Sequence, residues 1–188
     1  MIGAHAHGEE GLAGRVIHVV QGEHFVTDDA NAVMTTVLGS CVSACMRDPV
    51  SGVGGMNHFL LPGALAGQAH DLERGVHAME LLINALLKAG ARRDRLEAKL
   101  FGGARMMQNL SDIGAKNAAF AADFLRQERI ACRSESLGGE SARRIRYWPV
   151  SGRAKQMLLG QRESDVFARE IRHAAAPAPS SADVEFFD

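Results

Sequence analysis

Residues 35–62 read TTVLGSCVSACMRDPVSGVGGMNHFLLP. Apolar runs of strand character lie at 34–38, 42–46 and 54–61. Asp48, Pro49, Ser51 and Gly52 supply turn chemistry between the last two, so the pattern predicts a hairpin. Such a hairpin returns His58 to face Cys41, which sits on the small-residue turn Gly39-Ser40-Cys41. If the chain is extended from 35 to 41, Thr35, Val37, Gly39 and Cys41 share one parity and point to one face. On that reading Thr35 holds the His58 ring in a working orientation; a shifted register passes the role to the adjacent Thr36.

The thiolate is the reactive form of cysteine, and a nearby base is what makes a thiol a useful nucleophile. Cys41 and His58 therefore have the makings of a cysteine hydrolase. A second reading stays open from the residues alone. Free cysteine is among the most buried residue types, and a lone histidine on an apolar strand is more often core than base. Spacing does not separate the two.

With 188 residues, 46% of them apolar, the chain suits one domain with a proper core. Twenty-one basic and 22 acidic residues give a formal charge of −1, which supplies no field for nucleic acid. No run approaches the roughly 18 apolar residues of a membrane span, so membrane insertion is not expected. Residues 1–14 read as a flexible leader without the basic and apolar regions of a secretory signal. Three cysteines, 41, 45 and 132, show no disulfide-framework spacing, and a reduced, cytoplasmic protein is expected. His5 and His7 near the expected flexible end are read as incidental, and Cys41 and Cys45 have no second pair to complete a zinc site.

Along the chain, RVIHVVQGEHFVTDD suggests two short strands about Gln21-Gly22. Residues 72–89 form the clearest helix, with Val76, Met79, Ile83, Leu86 and Leu87 as a core stripe and Gly90 at its end. A strand at 96–101 ends in Gly102-Gly103, read as a tight turn and not a phosphate loop. A second helix spans about 113–129, with Asp112 as its cap. Strands follow at 130–136, 143–150 and 153–159. Arg143, Arg144, Arg146, Arg153 and Lys155 concentrate positive charge on the last two, either a solvated face or a docking surface for an acidic protein. An amphipathic helix is expected at 161–173, and residues 174–188, AAPAPSSADVEFFD with a preceding alanine, have the composition of a disordered tail. The domain proper is thus 15–173. Strands first, then strands alternating with helices, argue for a mixed α+β domain.

LGSCV, the D-P turn and GGMNHFLLP, followed by HAMELLINALLKAGA, EAKLFGGARMM, DIGAKNAAFAADFL, LGGESARR and YWPVSGR, resemble the chemoreceptor glutamine deamidase family, CheD. The resemblance runs over roughly residues 15 to 160, with several motifs in order. It implies a layered mixed-sheet sandwich with flanking helices. It also implies a catalytic cysteine, histidine and threonine at Cys41, His58 and Thr35. The implied reaction is hydrolysis of glutamine side-chain amides to glutamate on the cytoplasmic helices of chemotaxis receptors (methyl-accepting chemotaxis proteins), with glutamyl methyl esters as further substrates. The backbone N–H groups of Ser40 and Cys41 suit the oxyanion, and no cofactor or metal is required. A chemotaxis phosphatase is a further partner that the resemblance allows. The rival class is a non-catalytic adaptor that docks on receptors or on such a phosphatase. A cysteine peptidase or acyltransferase has no support beyond the cysteine and histidine.

Overall fold

The computed structural model describes residues 15–61, 68–106 and 113–160. The expected leader, Asp112 cap, helix at 161–173 and tail lie outside these residues. In chain order the elements are β1 (Val16–His18), β2 (His24–Thr27), β3 (Val33–Leu38), β4 (Val42–Asp48), β5 (Val53–Asn57) and α1 (Gln68–Lys88). A 3₁₀ turn at Arg93–Arg95, β6 (Glu97–Gly102), α2 (Ile113–Gln127), β7 (Ala131–Leu137), β8 (Arg143–Trp148) and β9 (Arg153–Leu158) follow.

The strands form two sheets, ordered β1-β3-β8-β9 and β2-β5-β4-β6-β7. Both are mixed: β1 runs parallel to β3 and β6 parallel to β7, while the other neighbours are antiparallel. Met34, Leu38, Ile145 and Tyr147 of the four-stranded sheet pack on Cys45, Met56 and Phe101 of the five-stranded one. The opposite face of the larger sheet, through Ala44, Met46 and Leu100, packs on Met79, Leu82, Ile83, Leu86, Phe124 and Leu125 of the helices. The result is the α+β layered sandwich with flanking helices that the resemblance implied. Because β4 is buried on both faces, it reads as a near-continuous apolar run and not as an alternation.

Met79, Leu82, Ile83 and Leu86 of α1 are fully buried, each contributing about 1.5–3 kcal/mol by leaving water. Val76, expected on that stripe, is 38% exposed. Gly75 faces inward instead, and the Phe120 ring and Leu61 stand 2.6–2.8 Å from where a Cβ would be. The helix approaches α2 too closely there for a side chain. The expected end at Gly90 is present: Gly90 has φ 101°, and Gly90 N–H and Ala91 N–H donate to Leu87 and Leu86 carbonyls at 3.0 Å each. That pairing satisfies the last carbonyls of the helix.

The β4–β5 turn is built on Asp48, whose side chain is fully buried. Oδ1 accepts the Val50 and Ser51 N–H groups, and Oδ2 accepts the Arg92 N–H and the Arg95 guanidinium at 2.6 Å. Burial works against the charge, but Arg95 and the three backbone donors outweigh it and hold the carboxyl well below the usual carboxylate range. The expected turn residue thus also ties the hairpin to the segment that follows α1. The two strands expected about Gln21-Gly22 form, but they separate: β1 joins one sheet and β2 the other. Their connection crosses the sandwich where His58 emerges.

Candidate active site

The β4–β5 ladder ends in an isolated bridge, with Val42 N–H donating to the Phe59 carbonyl at 3.0 Å and Phe59 N–H to the Val42 carbonyl at 2.9 Å. Cys41 and His58 flank that bridge. By strand alternation both take the parity of Cys45 and Met56, so both face the seam between the sheets. The hairpin therefore does return His58 to the side of Cys41. Cys41 is 1% exposed and His58 5% exposed.

The backbone of each is pinned. Gly22 N–H donates to the His58 carbonyl at 2.7 Å, and His58 N–H to the Glu23 carbonyl at 3.0 Å. Gly103 and Ala104 N–H groups donate to the carbonyls of Cys41 at 2.7 Å and Gly39 at 2.8 Å. Gly102 has φ 112°, and a Cβ there would meet the Cys41 carbonyl oxygen at 2.1 Å. The Gly-Gly turn thus makes its close approach to the cysteine turn itself. Among the described residues, no backbone carbonyl accepts from the N–H groups of Ser40 and Cys41.

The threonines divide differently from the parity argument. Thr36 Oγ1 lies 2.9 Å from His58 Nδ1, while Thr35 Oγ1 donates to the Ile145 carbonyl at 2.8 Å. The strand ends at Leu38 and the chain bends at Gly39-Ser40, so parity is not carried from 35 to 41. The packing of the sheets sets the inner face instead, and it takes Met34, Thr36 and Leu38. Thr35 is on the other face, opposite His18 of β1. Both threonines line a pocket of about 770 Å³ together with Gln21, His58, Val16, Val37, Arg144 and Arg146.

Burial pushes the Cys41 thiol up to about 12, with its own backbone N–H acting weakly the other way. It pushes the His58 imidazole down to about 4, against a backbone contact from Val19. Burial therefore favours the neutral thiol at Cys41 and the neutral imidazole at His58. Among the described residues, the buried His58 Nε2 has no partner at hydrogen-bond geometry. With Nδ1 engaged by Thr36, Nε2 is the nitrogen left for chemistry. Cys45 is fully buried in the seam, and Cys132 is exposed on β7.

The basic set also divides. Arg143 is 3% exposed, its guanidinium donating to the Ser136 and Gly138 carbonyls; it is a structural clamp. Arg153 stacks on the Trp148 ring at 4.0 Å from its centroid. Arg144, Arg146 and Lys155 stay exposed on the outer face.

Residues 60–157 match the family model described as CheD chemotactic sensory transduction. A protein of Rhizobium johnstonii is 57% identical over 95% of this chain and 98% of its own. One from Agrobacterium fabrum is 55% identical over 93% of this chain and 98% of its own, and one from Caulobacter sp. is 53% identical over 97% and 98%. The chain belongs to the CheD family. Each of these three CheD relatives is named probable chemoreceptor glutamine deamidase. The CheD model match begins two residues past His58, whereas the relatives extend over nearly the whole chain. Among solved structures, Neisseria meningitidis protein NMB0706 aligns over 69% of this CheD chain and 64% of its own, with TM-score 0.43 and 10% identity. That likeness is too loose to carry an argument. What the sequence reading missed in this CheD site is Gln21, whose Oε1 accepts from the Cys41 thiol at 3.4 Å. Its turn was legible; its reach across the sandwich was not.

Proposed function

We propose that this chain is a protein-glutamine deamidase acting on chemoreceptor helices, with Cys41 as nucleophile and His58 as general acid and base. The observation that carries the reading is the Thr36–His58 hydrogen bond beside the buried cysteine, at a pocket, in a chain whose relatives bear the deamidase name. With Nδ1–H donating to Thr36 Oγ1, Nε2 holds the lone pair that takes the Cys41 proton. The sulfur attacks the carboxamide carbon of the substrate glutamine, and the Ser40 and Cys41 N–H groups receive the oxyanion. The C–N bond breaks as His58 returns the proton to departing ammonia. His58 then activates water against the thioester, the C–S bond breaks, and glutamate and free thiol result. A glutamyl methyl ester enters the same thioester, with methanol leaving. Thr36 orients the ring in this reading, and Thr35, the position that the resemblance assigned, shapes the pocket wall.

The partner is read from charge. The strands β1, β3, β8 and β9 contain no Asp or Glu, yet carry five Arg and Lys residues in a chain of net charge −1. Arg144 and Arg146 line the pocket, and Val16 and Met157 expose apolar surface nearby, 55% and 49% respectively. A helix bearing glutamates around its glutamine, with an apolar edge, fits that face.

Incubation with a soluble receptor cytoplasmic fragment, followed by peptide mass mapping, tests the reading. Gln-to-Glu conversion that disappears in Cys41→Ala is expected. Binding without conversion would instead make the chain an adaptor.

A further inference from the structure

Gln21 is exposed, yet its side chain ends at the buried nucleophile, where Oε1 accepts from the Cys41 thiol at 3.4 Å. Its backbone is fixed from several sides. Glu23 N–H donates to the Val20 carbonyl at 3.0 Å, and Val20 N–H to the Glu23 carboxylate at 3.2 Å. Gly22, with φ 89°, donates to the carbonyl of His58 itself. The turn therefore positions the Gln21 carboxamide relative to both the cysteine and the histidine. Gln21 lines the pocket with His58 and Thr36 whereas Cys41 does not, so Gln21 touches both the pocket and the sulfur.

We propose that Gln21 is an internal gate and substrate mimic: its carboxamide occupies the approach to Cys41 until a substrate glutamine, carrying the same group, displaces it. The inference rests on the reading of Cys41 as nucleophile. Release needs only side-chain rotation, which is fast for an exposed residue. Gln21 survives beside the cysteine because the contact is from thiol proton to amide oxygen. Attack requires the sulfur over the carbonyl carbon with its proton already on His58. The gate therefore keeps the thiol protonated and covered when no substrate is present. Gln21 acts here as a positioning residue, not a catalytic one.

Timed alkylation of the full chain by iodoacetamide, with mass mapping of each cysteine, tests this. Gln21→Ala and the shorter Gln21→Asn should both label Cys41 several-fold faster than wild type, while exposed Cys132 labels at the same rate in all three. A Cys41 rate that is unchanged or slower in both would overturn the gate. Should one variant fold poorly, by its thermal transition, the other carries the test. Gln21→Glu should move the pH profile of Cys41 labelling to higher pH, because a carboxylate beside the sulfur disfavours the thiolate. An unmoved profile would also overturn the proposal, since residue 21 would then not stand beside the sulfur. Labelling needs no turnover. Faster labelling in a protein that converts no glutamine would sink the deamidase reading and leave the gate standing.

Discussion

Thr36 Oγ1 meets His58 Nδ1 at 2.9 Å across the seam between two sheets, so the imidazole is held by a strand of the sheet it does not belong to. The bond engages Nδ1 and leaves Nε2 for the base role proposed above. Thr36→Val should lower kcat by about 10–100-fold, the scale of losses when a group orienting a functional histidine is removed. KM should move little. Thr35→Val removes a hydroxyl that bonds the Ile145 carbonyl and should cost less. Steady-state kinetics of both variants decides the matter, and the reverse order of losses would return the orienting role to Thr35.

Acid should act through His58. Its imidazole sits at about 4 in the folded chain against an ordinary 6.5. Between those values the unfolded chain takes up a proton that the folded chain refuses. The stability tied to the neutral ring is complete above pH 6.5 and lost as pH falls through 4, about 3 kcal/mol in all. Thermal melts across that window should slope less in His58→Gln than in wild type. The acid limb of kcat/KM should likewise lie near pH 4, and a limb near 6.5 would mean a solvated histidine.

Arg144 and Arg146 are exposed, line the pocket, and are arranged with Lys155 on strands that contain no Asp or Glu. Reversing both to Glu should raise KM for a receptor fragment and leave kcat nearly unchanged. The wild-type KM should also rise with salt, since exposed charges are screened within about 10 Å at 0.1 M. Equal KM values for wild type and the double variant at low salt would remove this face from substrate docking.

Asp48 lies at the far end of the hairpin from Cys41 and belongs to stability, not chemistry. Asp48→Asn leaves Arg95 without its anion and weakens the acceptor of three backbone N–H groups, a loss of about 3 kcal/mol. The urea midpoint should drop with an unchanged slope, while the Cys41 labelling rate at low urea stays at the wild-type value. The native pairing stabilises above the ordinary carboxylate pKa of 3.8. It is lost as pH falls below that value, a window beneath that of His58.

The hairpin that joins Cys41 to His58 was legible in the sequence because its determinants are local. Asp48, Pro49, Ser51 and Gly52 make a turn wherever they stand together, and the flanking apolar runs can only pair. The 3.6-residue spacing of Met79, Ile83 and Leu86 declared a helix for the same reason. Family membership was legible too, through motifs spread along the chain in order. Which threonine holds the histidine was not. Parity survives only while a strand is unbroken, and the bend at Gly39-Ser40 resets it; the packing of Met34 and Leu38 against the second sheet then chose Thr36. Arg143 read as one of five surface cations until the fold brought the Ser136 and Gly138 carbonyls to it. Gln21 read as a turn residue until β1 and β2 parted into different sheets and hung its side chain over the thiol. Each of these depends on contacts between segments remote in the chain, whose geometry only the packed sandwich decides.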